Sequence, residues 1–232
     1  MQGKTVVVTG AFGILGSAVA EAASAAGANV AALDLAPEPR PELRARLGSD
    51  ALFLGGVDLG SPEAAGAAME AVKSRFGRID VLVNVAGGFR WETVEGGDAA
   101  TWDRLYAMNV KPPLNASKAA LPALLASGAG RIVNIGANGA VKAATGMGAY
   151  AASKSGVHRL TEAMAEELKG RGVTVNAVLP SIIDTPVNRA DMPDADFGKW
   201  VKPAELARII LFLASDDAGA ITGALLPVVG GV

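Results

Sequence analysis

A chain of 232 residues, half of them hydrophobic, is long enough to bury a substantial core and carries no signature of disorder. Its 21 basic and 23 acidic residues leave a formal charge of −2 without a basic block, so no electrostatic footprint for nucleic acid or an anionic membrane is present. The absence of cysteine excludes disulfides, thiol nucleophiles and Cys-ligated zinc, and a lone histidine, His158, excludes a multi-histidine metal cluster.

The opening MQGKTVVVTG enters an apolar run too early for a signal peptide, and no apolar stretch reaches the ~18 residues of a membrane span. A cytoplasmic location is the expectation. Short β-branched runs at 5–9, 29–34, 51–58, 79–84, 131–136, 173–180 and 224–228 read as strands. Between them, helical patterns cover 14–26, 62–76, 101–108, 111–126, 150–169 and 203–214. Runs such as VVVT, VLVNVA and RIVNI are apolar on both faces, as buried parallel strands are. Their alternation with helices predicts an α/β fold, a doubly wound parallel sheet with helices on both faces. One domain over 1–232 is expected. Within it, PEPRP at 37–41 reads as a turn-rich loop, and 181–202, which lacks periodicity, as a lid or substrate loop.

The first strand runs into VVVTGAFGILG, which places Gly10, Gly13 and Gly16, with Phe12 and Ile14 between them, at a strand-to-helix junction. Glycines there let backbone N–H groups approach a pyrophosphate whose charge the helix N-terminus favours. The strand before and the helix after are the context this motif requires. Asp34 closes the second strand, where a carboxylate accepts adenosine-ribose hydroxyls and repels a 2′-phosphate. The nearest arginine is Arg40, so NAD(H) is favoured over NADP(H) as cofactor. Asp58 fits two roles, a contact to the adenine amino group or a cap on the following helix.

Tyr150 and Lys154 stand four residues apart in a helical pattern and therefore share a face. A free tyrosine has a pKa of about 10, and a neighbouring ammonium or an oxidised nicotinamide would lower it. Tyr150 would then exchange a proton with a substrate oxygen as hydride arrives or leaves.

Taken in order, TGAFGILG at 9–16, NVAG at 84–87, Asn109, YAASK at 150–154, VNAVLPSIIDTP at 175–186 and ITG at 221–223 resemble the short-chain dehydrogenase/reductase family over essentially the whole chain. The resemblance implies a Rossmann-type sheet of about seven strands, hydride transfer between NAD(P) and a small-molecule substrate, and a homotetramer or homodimer. It implies that Tyr150, Lys154 and Asn109 are catalytic, with Lys154 also holding ribose hydroxyls and Asn109 bending its helix and holding a water beside Lys154. Asn84, Ala86 and Gly87 would lie beside the adenosine ribose. Ile183 and Thr185, following Pro180, would hold the nicotinamide carboxamide. His158 would pack at a helix–helix subunit interface.

Several positions depart from the family pattern. Pro180-Ser181 replaces the usual Pro-Gly, Val229-Gly230-Gly231 the usual Asp-Gly-Gly, and Ala137 the catalytic serine. VAGGF at 85–89 and VLPSIIDTPVNRADMPDADFGKW at 178–200 are similar to the dihydropteridine reductase subgroup, which reduces quinonoid dihydropterin without that serine. Losing one oxyanion donor slows catalysis roughly 10²–10³-fold, so the expected substrate is an electrophilic carbonyl or a quinonoid dihydropterin-like ring. A general carbonyl or 3-oxoacyl-type reductase or an alcohol dehydrogenase is the alternative, and a non-catalytic NAD-binding protein a third reading. Candidate substrate residues are Ala137, Asn138, Met147, Asn188 and Trp200, with Asn138 as a replacement donor. In the lid, the aromatics would cover a flat ring and Arg189 would meet an acidic group, or these residues would only anchor the lid.

Overall fold

Apolar residues at successive positions of the central strands require cover on both faces, and the architecture supplies it. A computed structural model describes residues 1–232. Its strands are β1 (Thr5–Thr9), β2 (Asn29–Leu33), β3 (Leu52–Leu54), β4 (Val81–Asn84), β5 (Gly130–Ile135), β6 (Val173–Pro180) and β7 (Leu225–Val228). They form one sheet in the order β3-β2-β1-β4-β5-β6-β7, every pair parallel. The helices are α1 (Ile14–Ala25), α2 (Pro41–Leu47), α3 (Pro62–Phe76), α4 (Ala99–Asn109), α5 (Lys111–Ala126), α6 (Gly148–Glu167), α7 (Pro186–Asp191) and α8 (Pro203–Leu213). The doubly wound Rossmann-type sheet is as expected.

The strand period of two divides the core. Val6 and Val8 of β1 join Leu15 and Val19 of α1 and Leu206, Ile210 and Leu213 of α8 in one apolar cluster. Val7, between them, joins Met69 and Val72 of α3, Leu124 of α5 and Met164 of α6 in another on the opposite face. The chain leaves β1 toward β2 and β3, then crosses back to lay β4 on the other side of β1. That reversal opens a crevice at the carboxyl ends of β1 and β4.

Three elements differ from the sequence expectation. α2 follows the PEPRP loop, with Pro41 in its first turn and Leu43 and Leu47, one turn apart, buried. β3 is only three residues long: regular pairing stops at Leu54, and Gly55 then passes so close to the loop after β2 that any Cβ would collide with the Pro37 carbonyl. The 181–202 segment contains α7, started by Thr185, whose Oγ1 accepts the Asn188 N–H at 3.2 Å.

A buried polar brace joins the middle of the sheet to two helices. Asn84 Nδ2 donates to Asn134 Oδ1 at 2.8 Å and to Ser117 Oγ at 3.1 Å, and Asn134 Nδ2 donates to Thr161 Oγ1 at 2.9 Å. β4, β5, α5 and α6 are thereby tied directly beneath the crevice. Truncating one member leaves buried donors without acceptors. Asn134→Ala is expected to lower unfolding free energy by about 1–3 kcal/mol, read from the urea midpoint at unchanged slope.

Candidate active site

The β1–α1 turn is built for close approach. Gly10 has φ +62°, and a Cβ there would sit 2.8 Å from Ala86 Cα; on Gly16 it would collide with the Gly10 carbonyl. No side chain caps α1 and no acidic residue occupies its first turn. Its first N–H groups, which have no partner within the helix, are left for an anion. Asp34 stands beside this turn, Oδ2 accepting the Phe12 N–H at 2.8 Å and Oδ1 the Ala36 N–H at 2.9 Å. These residues line a cleft of about 1280 Å³ that also takes in Phe12, Gly13, Ile14, Asp58, Ala86, Gly87, Ile183 and Thr185. The glycine cradle, free helix N-terminus and carboxylate fit a nicotinamide dinucleotide.

Tyr150 and Lys154, on α6, reach the same cleft. Lys154 is 6% exposed and its Nζ donates to the Ile135 carbonyl at the end of β5, 2.8 Å away. Asn109 ends α4, and α5 begins at Lys111, so it marks the expected break in the helix. Its side chain clamps the loop after β4. Oδ1 accepts the Gly88 N–H at 2.8 Å, while Nδ2 donates to the Gly88 carbonyl at 3.1 Å and to Ser153 Oγ at 2.9 Å. The amide is thus occupied with loop and helix. Ser153, Ile135 and Phe89, whose ring meets Tyr150 at 4.9 Å between centroids, were not distinguishable in sequence; their roles come from contacts between distant segments.

Behind the Tyr150 end, Ala137 is buried, and its N–H donates to His158 Nε2 at 3.3 Å. His158 therefore faces inward, under the loop that follows β5, and not toward a subunit interface as expected. Burial is the main cause that lowers its pKa, with the positive charges of Arg159 and Lys154 adding to it. A neutral ring with Nε2 as acceptor is the consistent state. Asn138 opens a short 3₁₀ turn over Asn138–Ala140, and Met147 caps the start of α6 against Gly139.

Other expected residues take different places. Asn84 points into the polar brace, away from the cleft, because its amide is needed between the sheet and α5. Asp58 accepts the Gly60 N–H at 2.8 Å, and the helix cap is Ser61, whose Oγ accepts from Ala64 at 3.2 Å; the capping alternative for Asp58 is overturned. Asn188 is turned back onto its own segment, Nδ2 donating to the Ile183 carbonyl at 2.7 Å. Trp200 is 4% exposed and packs against Phe197 with centroids 4.7 Å apart, so it anchors the 181–202 segment. Arg189 is engaged within the same segment by a two-point pair with Asp184, at 2.6 and 2.8 Å. Pro180 closes β6 in register with Val228. The neighbouring departures from the family pattern meet in one hydrogen bond: Ser181 Oγ donates to the Val229 carbonyl at 2.7 Å, fixing the start of the 181–202 segment to the C-terminal tail.

The fold and this cleft coincide with a known class. The family model for short chain dehydrogenases matches residues 4–196. The chain is similar to D-threitol dehydrogenase of Mycolicibacterium smegmatis, 37% identical over 242 residues that span 100% of this chain and 93% of the relative. It is also similar to the 3-oxoacyl-acyl-carrier-protein reductase of Vibrio cholerae, 32% identical over 240 residues covering 100% and 98%. Among solved structures, carveol dehydrogenase from Mycobacterium avium in complex with NAD superposes with a TM-score of 0.88 at 28% identity, covering 100% of this chain and 98% of that one. The chain belongs to the short-chain dehydrogenase family. It is an NAD(P)-dependent oxidoreductase.

Burial sets the protonation of the pair. It pushes the Tyr150 phenol up to about 12 and the Lys154 ammonium down to about 8. Desolvation is the cause acting on the tyrosine, opposite in direction to the lowering expected from its neighbour, so the phenol stands protonated. For Lys154 the folded pKa lies below its ordinary value of 10.5. Between those values the unfolded chain binds more protons than the folded one. The penalty for burying the ammonium is therefore fully present below the folded pKa of about 8 and fades as pH rises toward 10.5. Lys154→Met is expected to remove this rise in stability; thermal unfolding of both proteins across that range checks it.

Proposed function

We propose that the protein interconverts a small-molecule alcohol and its ketone, with NAD(H) favoured as cofactor, and that 1–232 forms one catalytic domain with 181–202 as its lid. The observation that carries this reading is the convergence of Tyr150 and Lys154 on a cleft whose other end holds the glycine turn and Asp34. Asp34 supports NAD(H), since a carboxylate there repels a 2′-phosphate, and Arg40 is engaged with Ser17 Oγ at 3.1 Å. When bound, the nicotinamide supplies or accepts the hydride.

In the reductive direction Tyr150 gives its phenolic proton to the substrate oxygen as that oxygen gains charge. Lys154, held by the Ile135 carbonyl, places its ammonium to stabilise the phenolate left behind and to hold ribose hydroxyls. Asn109 keeps the Gly87–Gly88 loop at the distance the cofactor needs. Ile183 and Thr185 are positioned at the lid root for the carboxamide. In oxidation the same groups run in reverse, the alcohol proton passing to Tyr150.

The relatives above carry names of alcohol dehydrogenases and of an oxoacyl reductase, which supports an alcohol/carbonyl pair over a dihydropterin. The engagement of Arg189 and Trp200 within the lid points the same way. Trp102 and Tyr106, one turn apart and exposed on α4, support self-association as a homotetramer or homodimer. Light scattering measures that state.

Tyr150→Phe is expected to reduce turnover by about 10²–10⁴-fold while NADH binding, followed by fluorescence, persists. Undiminished turnover overturns the role of Tyr150, and binding of NADH without turnover in the parent protein overturns the catalytic reading. The same titration with NADPH tests the cofactor preference. At Ala137 the loop offers a methyl group in place of a hydroxyl, so Ala137→Ser is expected to raise kcat for ketone reduction by up to roughly 10²-fold; steady-state kinetics on one ketone check it.

A further inference from the structure

The loop after β4 does more than border the cofactor. Its root is fixed by the two hydrogen bonds between Gly88 and the Asn109 amide. Its far end is pinned to the loop before α6: the Trp91 indole N–H donates to the Thr145 carbonyl at 3.1 Å, and the Glu92 N–H to the Gly146 carbonyl at 2.9 Å. The indole lies so close on Gly146, which has φ +74°, that any Cβ there would overlap it. Residues 88–92 are therefore a strap tied at both ends across the mouth of the cleft.

Between the two ties sits Phe89. Its ring stands nearly perpendicular to that of Tyr150, at 80° and 4.9 Å, yet remains 56% exposed. An aromatic side chain held with this much free surface beside the proton donor offers that surface to whatever delivers an oxygen to Tyr150. The other side chains lining this end include the apolar Ile135, Ile183 and Val187, together with Thr185 and with Lys154, whose ammonium is engaged by the Ile135 carbonyl at 2.8 Å. Charged lining groups such as Asp34, Glu38, Arg40 and Asp58 lie with the glycine turn and the ends of β2 and β3, while Arg104 of α4 donates to Thr101 Oγ1 at 2.8 Å.

Building on the proposed alcohol/ketone chemistry, we infer that Phe89 is a specificity-determining residue that favours a hydroxyl or keto group borne on an apolar ring over a linear polyol. A ring presents a continuous apolar face to Phe89 at the reacting carbon. A linear polyol must bring hydroxyls against the same wall and strip their water without replacement partners. The strap keeps the wall in place before substrate arrives, so the discrimination is built into the free protein.

The test uses the full chain with NAD⁺, comparing cyclohexanol with threitol. The parent protein is expected to show the higher kcat/KM on cyclohexanol. Phe89→Ala is expected to lower the cyclohexanol-to-threitol ratio of kcat/KM about two- to tenfold, mostly through KM, and Phe89→Tyr to retain it. A parent preference for threitol, or an equal fall on both substrates in Phe89→Ala, overturns the role of Phe89 while leaving the alcohol/ketone reading intact. Turnover of neither substrate, with NADH still bound, overturns that reading and this inference together.

Discussion

A parallel sheet buried on both faces leaves no solvent-reached position for a reactive group along its central strands, where polar side chains serve as hydrogen-bonded braces, and the rest of this structure depends on that constraint. β1, β4, β5 and β6 are buried at every position, so reactive groups collect where the strands end. The glycine turn follows β1, the Gly87–Gly88 loop follows β4, the Ile135 carbonyl ends β5 and the 181–202 segment follows β6. Reversal of strand order between β1 and β4 opens those ends into one crevice. The cleft is thus a consequence of how the core is covered.

That placement gives each polar group a structural task alongside its chemical one. Lys154 is buried in the cleft, and the Ile135 carbonyl offsets part of the cost of taking its ammonium out of water. The Asn109 amide is spent on Gly88 and Ser153, and Ser153 Oγ in turn donates to the Tyr150 carbonyl at 2.7 Å. Loop, helix break and the Tyr150 backbone form one connected unit. His158 completes it from behind by taking the Ala137 N–H, which leaves the loop's inner surface apolar at the position where a serine would stand.

Much of this was legible in the sequence, because its signals are local. Glycine spacing after a strand, a carboxylate at the end of the next, and Tyr150 four residues before Lys154 each carry their meaning within a few residues. Side chains that act across the fold were not legible. Asn84 looked like a cofactor contact and is a brace; Trp200 and Asn188 looked like substrate contacts and hold the 181–202 segment to itself. Asp58 carried two meanings until Ser61 was seen to cap α3. Position in a motif says which segment is near the cofactor, but not which way a side chain turns once its neighbours compete for its hydrogen bonds.

The sequence by itself determined the layered fold, the nicotinamide end of the cleft and the Tyr150–Lys154 pair, since periodicity and short motifs encode backbone geometry directly. Tertiary structure alone decided the substrate end. The strap over 88–92 exists only because Trp91 reaches Thr145 and Gly146, more than fifty positions away in sequence, and Phe89 gains its place beside Tyr150 through that tie. Protonation of the pair was decided there too. The directions in which Tyr150 and Lys154 shift follow from the desolvation that the surrounding segments impose, a property no stretch of sequence carries alone.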